Sequence, residues 1–259
     1  MYELIDKISL NLPVYLLVFS RMSAMIATLP IIGYAVVSVK IRIALSILLT
    51  LIVSPLLISG FHTTYTTFLP FVVAIMGEVF TGMLIGYGAR LVFEAFSVAG
   101  AFVGYQMGMA IMNVFDPSTQ NQQPIIGNFW LLIIVIFFLV TNGHYFLIET
   151  LFQNFQLIHL GGETFRPEIG RTFVNGGRII YDMALRFAAP TMVFLLVTDV
   201  AIAFMARVMP QLNIFFISLP LKIGAGIFLL IFSLQIFQSL FGYVNDQMQT
   251  FVTTIVRSL

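Results

Sequence analysis

The chain has 259 residues, of which 59% are hydrophobic and 9% charged, with a net charge of +1 and a mean hydropathy of +1.02. A soluble domain carries about a quarter charged residues, and a soluble core of this size could not hide so much apolar surface, so lipid or protein partners must cover it. The near-zero charge points to no nucleic acid or acidic partner, and the absence of cysteine excludes disulfides, thiol catalysis and cysteine metal sites.

Along the chain, Met1 to Leu12 carries Glu3 and Asp6 beside Lys7 and lacks a small-residue cleavage site, so the first apolar segment reads as retained. A helical span needs about 20 apolar residues, because every backbone N–H and C=O must be satisfied internally. Six segments meet that requirement: Leu12 to Ile32, Ile43 to Ser59, Phe68 to Ala89, Ile125 to Ile148, Ala184 to Ala206 and Leu221 to Val244. Their runs are continuously apolar rather than alternating, which excludes a membrane β-barrel. The expected fold class is an all-α integral membrane protein of about six helical segments arranged as hairpins.

The third segment is followed by further apolar sequence, Leu91 to Phe115. One unbroken helix over both would reach roughly 70 Å, over twice the hydrocarbon thickness, so the chain is expected to end the helix, turn back or leave the membrane. Gly100, Gly104 and Gly108 fall four apart, as do Gly82 and Gly86. Such rows let helix backbones approach closely; ordinary packing explains the earlier pair, whereas the later triplet, leading into a polar loop, fits packing and a place near a moving part equally. Met107, Met109 and Met112, with Ile111, Val114 and Phe115, precede that loop. Methionine fills core gaps, and it also yields when something pushes through; a hydrophobic constriction of this kind can exclude ions by dewetting. Asp116 to Pro124, DPSTQNQQP, is a proline-bounded loop. The longest polar stretch, His159 to Asp182, reads as a solvent-facing connection.

Ionisable residues within the apolar segments are functional candidates by default: Arg21, Glu78, Arg90, Glu94, Glu149, Asp199, Arg207 and Lys222. Arg90 and Glu94 are spaced for an ion pair along one helix. Asp199 and Arg207 could each pair with another helix, and a proton relay through Glu78 or Asp199 stays open. His62, His144 and His159 form no metal-binding spacing, and His144, in TNGH, fits a helix capped near the membrane surface. No zinc-protease, nucleophile-elbow, P-loop or dinucleotide-binding motif is present, so neither an enzyme nor a cofactor is expected. Basic residues divide nearly evenly between alternate loops, and the positive-inside rule gives no orientation.

Several motifs carry a resemblance. RMSAMIATLPIIG (Arg21 to Gly33), VKIRIALS (Val39 to Ser46), GYQMGMAIMNVFDP (Gly104 to Pro117), FFLVTNGH (Phe137 to His144) and ARVMPQLNIFFISLPLKI (Ala206 to Ile223) occur in order over nearly the whole chain. Together they resemble the FliR family of type III export-gate subunits. The resemblance implies a FliP-like part, residues 1–182, and a FliQ-like C-terminal hairpin, residues 183–259. It implies FliP and FliQ as ring partners, FlhB and FlhA as further partners, unfolded flagellar substrates in transit, and a place in the bacterial inner membrane at the flagellar basal body. The family's plug segment carries onto Met109, Ala110, Ile111, Met112, Asn113, Val114 and Phe115, with Gly100, Gly104, Gly108, Asp116 and Pro117 supporting it. Arg207, Pro210, Gln211, Asn213, Pro220 and Lys222 match the element at the junction into the last hairpin, where a structural role is expected. The homologous subunit of a virulence injectisome shares these motifs. An ion-coupled transporter fits the composition, but it should show two related halves, and no such repeat is apparent.

Overall fold

The structure, a computed structural model, describes residues 11–34, 37–58, 67–109, 125–161, 168–211 and 213–259. Among them the chain forms seven helices and no strand: α1 Leu12–Thr28, α2 Val39–Leu57, α3 Phe68–Gln106, α4 Ile125–Val140, α5 Gly143–Leu157, α6 Glu168–Val208 and α7 Ile214–Ser258. Four of these, α2, α3, α6 and α7, are long and apolar enough to cross a membrane, and α4 with α5 make a fifth candidate if taken as one broken span. The protein is an all-α integral membrane protein.

Several boundaries differ from the sequence reading, the first at α1, which ends at Thr28 and not at Ile32 and, at 17 residues, is shorter than the span expected there. Helix α3 does not stop near Ala89 but runs 39 residues to Gln106, about 58 Å at 1.5 Å per residue. Nothing in Arg90 to Glu94 breaks a helix, and the guanidinium of Arg90 is accommodated 4.9 Å from the Tyr34 ring centroid. The segment Ile125 to Ile148, expected as one helix, is interrupted at Thr141–Asn142; Asn142 adopts φ 59, a left-handed conformation that asparagine tolerates better than most residues. The polar stretch from His159 is helical from Glu168 onward, as the first turns of the 41-residue α6. Helix α6 passes through residues 182 and 183 without a break.

The chain divides into two compact units, the first comprising residues 1–91, 142–176 and 247–259, the second residues 92–141 and 177–246. In the first, α2 packs on α1 and buries Ser46, Thr50, Val53 and Ser54, a row at helical spacing. The hydroxyls of Ser46 and Thr50 donate to carbonyls one turn back in their own helix, at 2.8 and 2.7 Å, so both sit in an apolar contact without loose donors. Gly82 and Gly86 of α3 lie directly on the α1 backbone: a side chain at the former would strike the Arg21 carbonyl, and at the latter Thr28 and the Met25 carbonyl. Gly88 of α3 and Gly176 of α6 both border the ring of Phe251, near the end of α7. The expectation of ordinary packing for Gly82 and Gly86 holds.

In the second unit α3 and α4 cross with backbone on backbone, Gly100 against Gly127. Aromatic contacts flank the crossing: Phe93 meets Phe138 edge-on at 5.2 Å, and Phe96 meets Phe187 of α6 at 4.5 Å. Trp130, Ile134, Val103, Met183, Ala184, Ala188 and Leu195 of the same unit are buried. Such small-residue contacts bring helices close where lipid supplies no hydrophobic drive to associate.

Candidate functional site at the end of the third helix

The methionine cluster and its glycines lie at the C-terminal end of α3, within the second unit. A helix end leaves its last carbonyls without intrahelical partners, and here they are closed locally. Gly108 has φ 80; its N–H donates to the Tyr105 carbonyl at 3.0 Å, and the Met109 N–H donates to the Gly104 carbonyl at 3.1 Å. That pair of bonds around a left-handed glycine is the Schellman arrangement. The three glycines of the row therefore divide their work. Gly100 permits the α3–α4 crossing, Gly104 has only Ile126 within ordinary contact distance among the described residues, and Gly108 stops the helix.

Side chains of α6 and α7 grip the same turn. Met107 is 1% exposed and enters the notch left by Gly226 of α7, where a Cβ would stand 2.5 Å from its sulfur. The Gln106 amide donates to Asp199 of α6 at 3.1 Å, and Asp199 is ion-paired with Lys222 of α7. Asp199 thus pairs with another helix, as its position in the sequence suggested. Charges within apolar helices are costly unless paired or facing a polar cavity, so this chain of contacts satisfies both ions while tying three helices together. Lys222, placed by sequence in the junction, pairs with Asp199 of α6, which in turn accepts from Gln106 of α3.

The other singled-out residues are distributed as follows. Met109 is half-buried just past the cap. Ala110, Ile111, Met112, Asn113, Val114, Phe115, Asp116 and Pro117 lie outside the described residues, as does His62. Arg207, Pro210, Gln211, Asn213 and Pro220 are exposed; Arg207 sits in the last turn of α6, where a cation complements the helix dipole. His144 follows the break at Asn142 and lies tilted against Tyr145, with ring centroids 4.5 Å apart. Arg21 and Glu78 form a buried ion pair in the first unit. Sequence reasoning missed Gln106 and Gly226. The only available hint for Gly226 was a glycine inside a long apolar run, and an amide next to a methionine-rich turn gave no signal at all.

The family described as bacterial export proteins, family 1, matches residues 12–248 of this chain. Similar curated proteins include the flagellar biosynthetic protein FliR of Bacillus subtilis (strain 168), 32% identical over 237 residues that cover 86% of this chain and 87% of the relative. The flagellar biosynthetic protein FliR of Escherichia coli (strain K12) is 27% identical, covering 81% of this chain and 80% of the relative. That of Aquifex aeolicus (strain VF5) is 26% identical, covering 85% of each.

Proposed function

The chain belongs to the bacterial export proteins, family 1, and from that premise we propose that it is a core, non-enzymatic subunit of the flagellar type III protein-export gate in the bacterial inner membrane. Residues 1–182 act as its FliP-like part and residues 183–259 as a FliQ-like hairpin, completing a ring with FliP and FliQ, next to FlhB and FlhA. The segment Met109 to Phe115 is the plug. Its apolar, yielding side chains close the conduit to ions and move aside for unfolded flagellar proteins.

What supports this reading is the root of that segment. Gly108 ends α3 in a closed cap, Met107 is seated against Gly226, and Gln106 is bonded to the Asp199–Lys222 pair. A loop starting from so constrained a turn can shift its tip without unravelling the helix behind it. In mechanism the parts then have separate tasks: the ion pair and the methionine notch hold the root, Gly108 lets the chain depart at a sharp angle, and residues 109–115 do the sealing.

Removing Ile111 to Phe115 tests the proposal. The expected outcome is a complex that still assembles with its partners, in a membrane whose conductance to ions and small solutes rises well above background. Background conductance with normal assembly would refute the plug assignment while leaving the subunit assignment in place.

A further inference from the structure

Arg21 of α1 and Glu78 of α3 are 1% and 3% exposed, and the plug mechanism uses neither. Their partners are specific. The Arg21 Nε donates to Glu78; Nη1 donates to Asn154 Oδ1 at 3.1 Å and to the Ile158 carbonyl at 3.0 Å; Nη2 donates to the His159 carbonyl at 3.4 Å. The guanidinium also lies 4.6 Å from the Phe155 ring centroid. Glu78 uses its second oxygen to accept the Gly161 N–H at 2.8 Å. Every one of these groups belongs to the first unit.

The pattern is more than an ion pair. A buried pair by itself adds little to stability, because desolvating two charges offsets their attraction, and apolar side chains of equal volume often serve as well. Here the two side chains do something apolar residues cannot. Helix α5 ends at Leu157, and the chain then turns through Ile158 to Gly161, where Gly161 has φ 70. That turn has carbonyls and an N–H that helix geometry no longer satisfies, and Ile158 within it is buried. The fork of an arginine matches several acceptors at once, which a lysine does not. Arg21 covers two successive carbonyls of the turn, Glu78 covers its amide, and Asn154 orients the guanidinium from within α5.

We propose that Arg21 and Glu78 form a latch whose object is the turn Ile158–Gly161, and that it fixes the point from which the chain leaves α5 toward α6. The latch acts on the main chain of that turn, so the helices stay packed when it opens.

The absence of cysteine in the chain makes the test direct. Leu160→Cys is introduced into the full chain, purified with its assembled partners, and reacted with a hydrophilic maleimide. Glu78→Gln and Arg21→Lys should each raise the labelling rate about 10-fold, the equivalent of one weakened charge-assisted hydrogen bond. Leu151→Ala, a buried position of α5 outside the latch, should leave the rate unchanged. Exchanging the charges, Arg21→Glu with Glu78→Arg, should not restore slow labelling, because a carboxylate would then face the two carbonyls and a guanidinium the N–H. A restored rate would show a simple ion pair and overturn the latch, as would wild-type labelling in Glu78→Gln. If the charge variants fail to accumulate, hydrogen exchange of the wild-type complex decides the matter. The Gly161 amide, outside any helix, should exchange about 10- to 100-fold slower than an open-loop amide; open-loop exchange would sink the proposal.

Discussion

The clearest residue-level consequence concerns Met107, whose side chain occupies space that Gly226 leaves empty. Met107→Ala should lower the stability of the purified complex by about 2–5 kcal/mol, the usual range for truncating a buried methionine, measured as a drop in thermal midpoint. Gly226→Leu alone should be damaging for the opposite reason, since it drives a branched side chain into the methionine. Combined, the two substitutions should cost less than the sum of each, because the leucine partly fills the vacated volume; additive losses would mean the two residues do not touch. The methionine cluster was legible in the sequence as a concentration of flexible side chains before a polar loop. Its partner was not, because a glycine notch is defined by the helix opposite and not by its own neighbours. Arg21 and Glu78 make the same point. Each was a visible anomaly in an apolar run, but their pairing across 57 positions leaves no trace in local spacing.

At the scale of helices, glycine rows carried reliable information where they meet another backbone. Gly82 rests on α1, whereas at Gly77, five positions earlier on α3, an added Cβ would have nothing within 4 Å among the described residues. Gly82→Leu should therefore abolish recovery of the folded chain from membranes, and Gly77→Leu should leave it at wild-type level. Equal effects would show that helix propensity, and not the α1–α3 contact, governs both sites. The row at Gly100, Gly104 and Gly108 reads the same on paper, yet its last member terminates α3, a distinction that depends on φ and not on spacing. The break at Asn142 escapes the sequence reading, which takes Ile125 to Ile148 as one helix although Asn-Gly is a turn signal. Hydropathy alone runs through it, because the residues on both sides are equally apolar.

For the whole molecule, composition fixed the class and each of the six apolar segments overlaps a helix, but Leu12 to Ile32 overruns α1, which ends at Thr28 and is short of a span, Ile125 to Ile148 is split, and the longest helices were underestimated. Helices α3, α6 and α7 have 39, 41 and 45 residues, each about twice what a bilayer requires; a window of about 20 residues finds one span's worth of such a helix and not its full length. Much of that length presents apolar side chains outward, among them Phe68, Met76, Val193, Phe204 and Phe228. Arg207, Gln211 and Asn213 are exposed as well, so a role for them is expected in assembly and not in the fold of the lone chain. Arg207→Ala should reduce recovery of the complex with its partners while the isolated chain keeps its helix content by circular dichroism. Normal recovery joined to poor export would instead assign Arg207 to the transport path.

The length of α3 has a mechanical corollary. The part of α3 within the second unit, residues 92–106, is about 22 Å long, and a tilt of about 10° about its start would carry Met107 sideways by about 4 Å. A displacement of that size is comparable to the width of a side chain, so a small rotation of this stretch is enough to disturb the seat at Gly226.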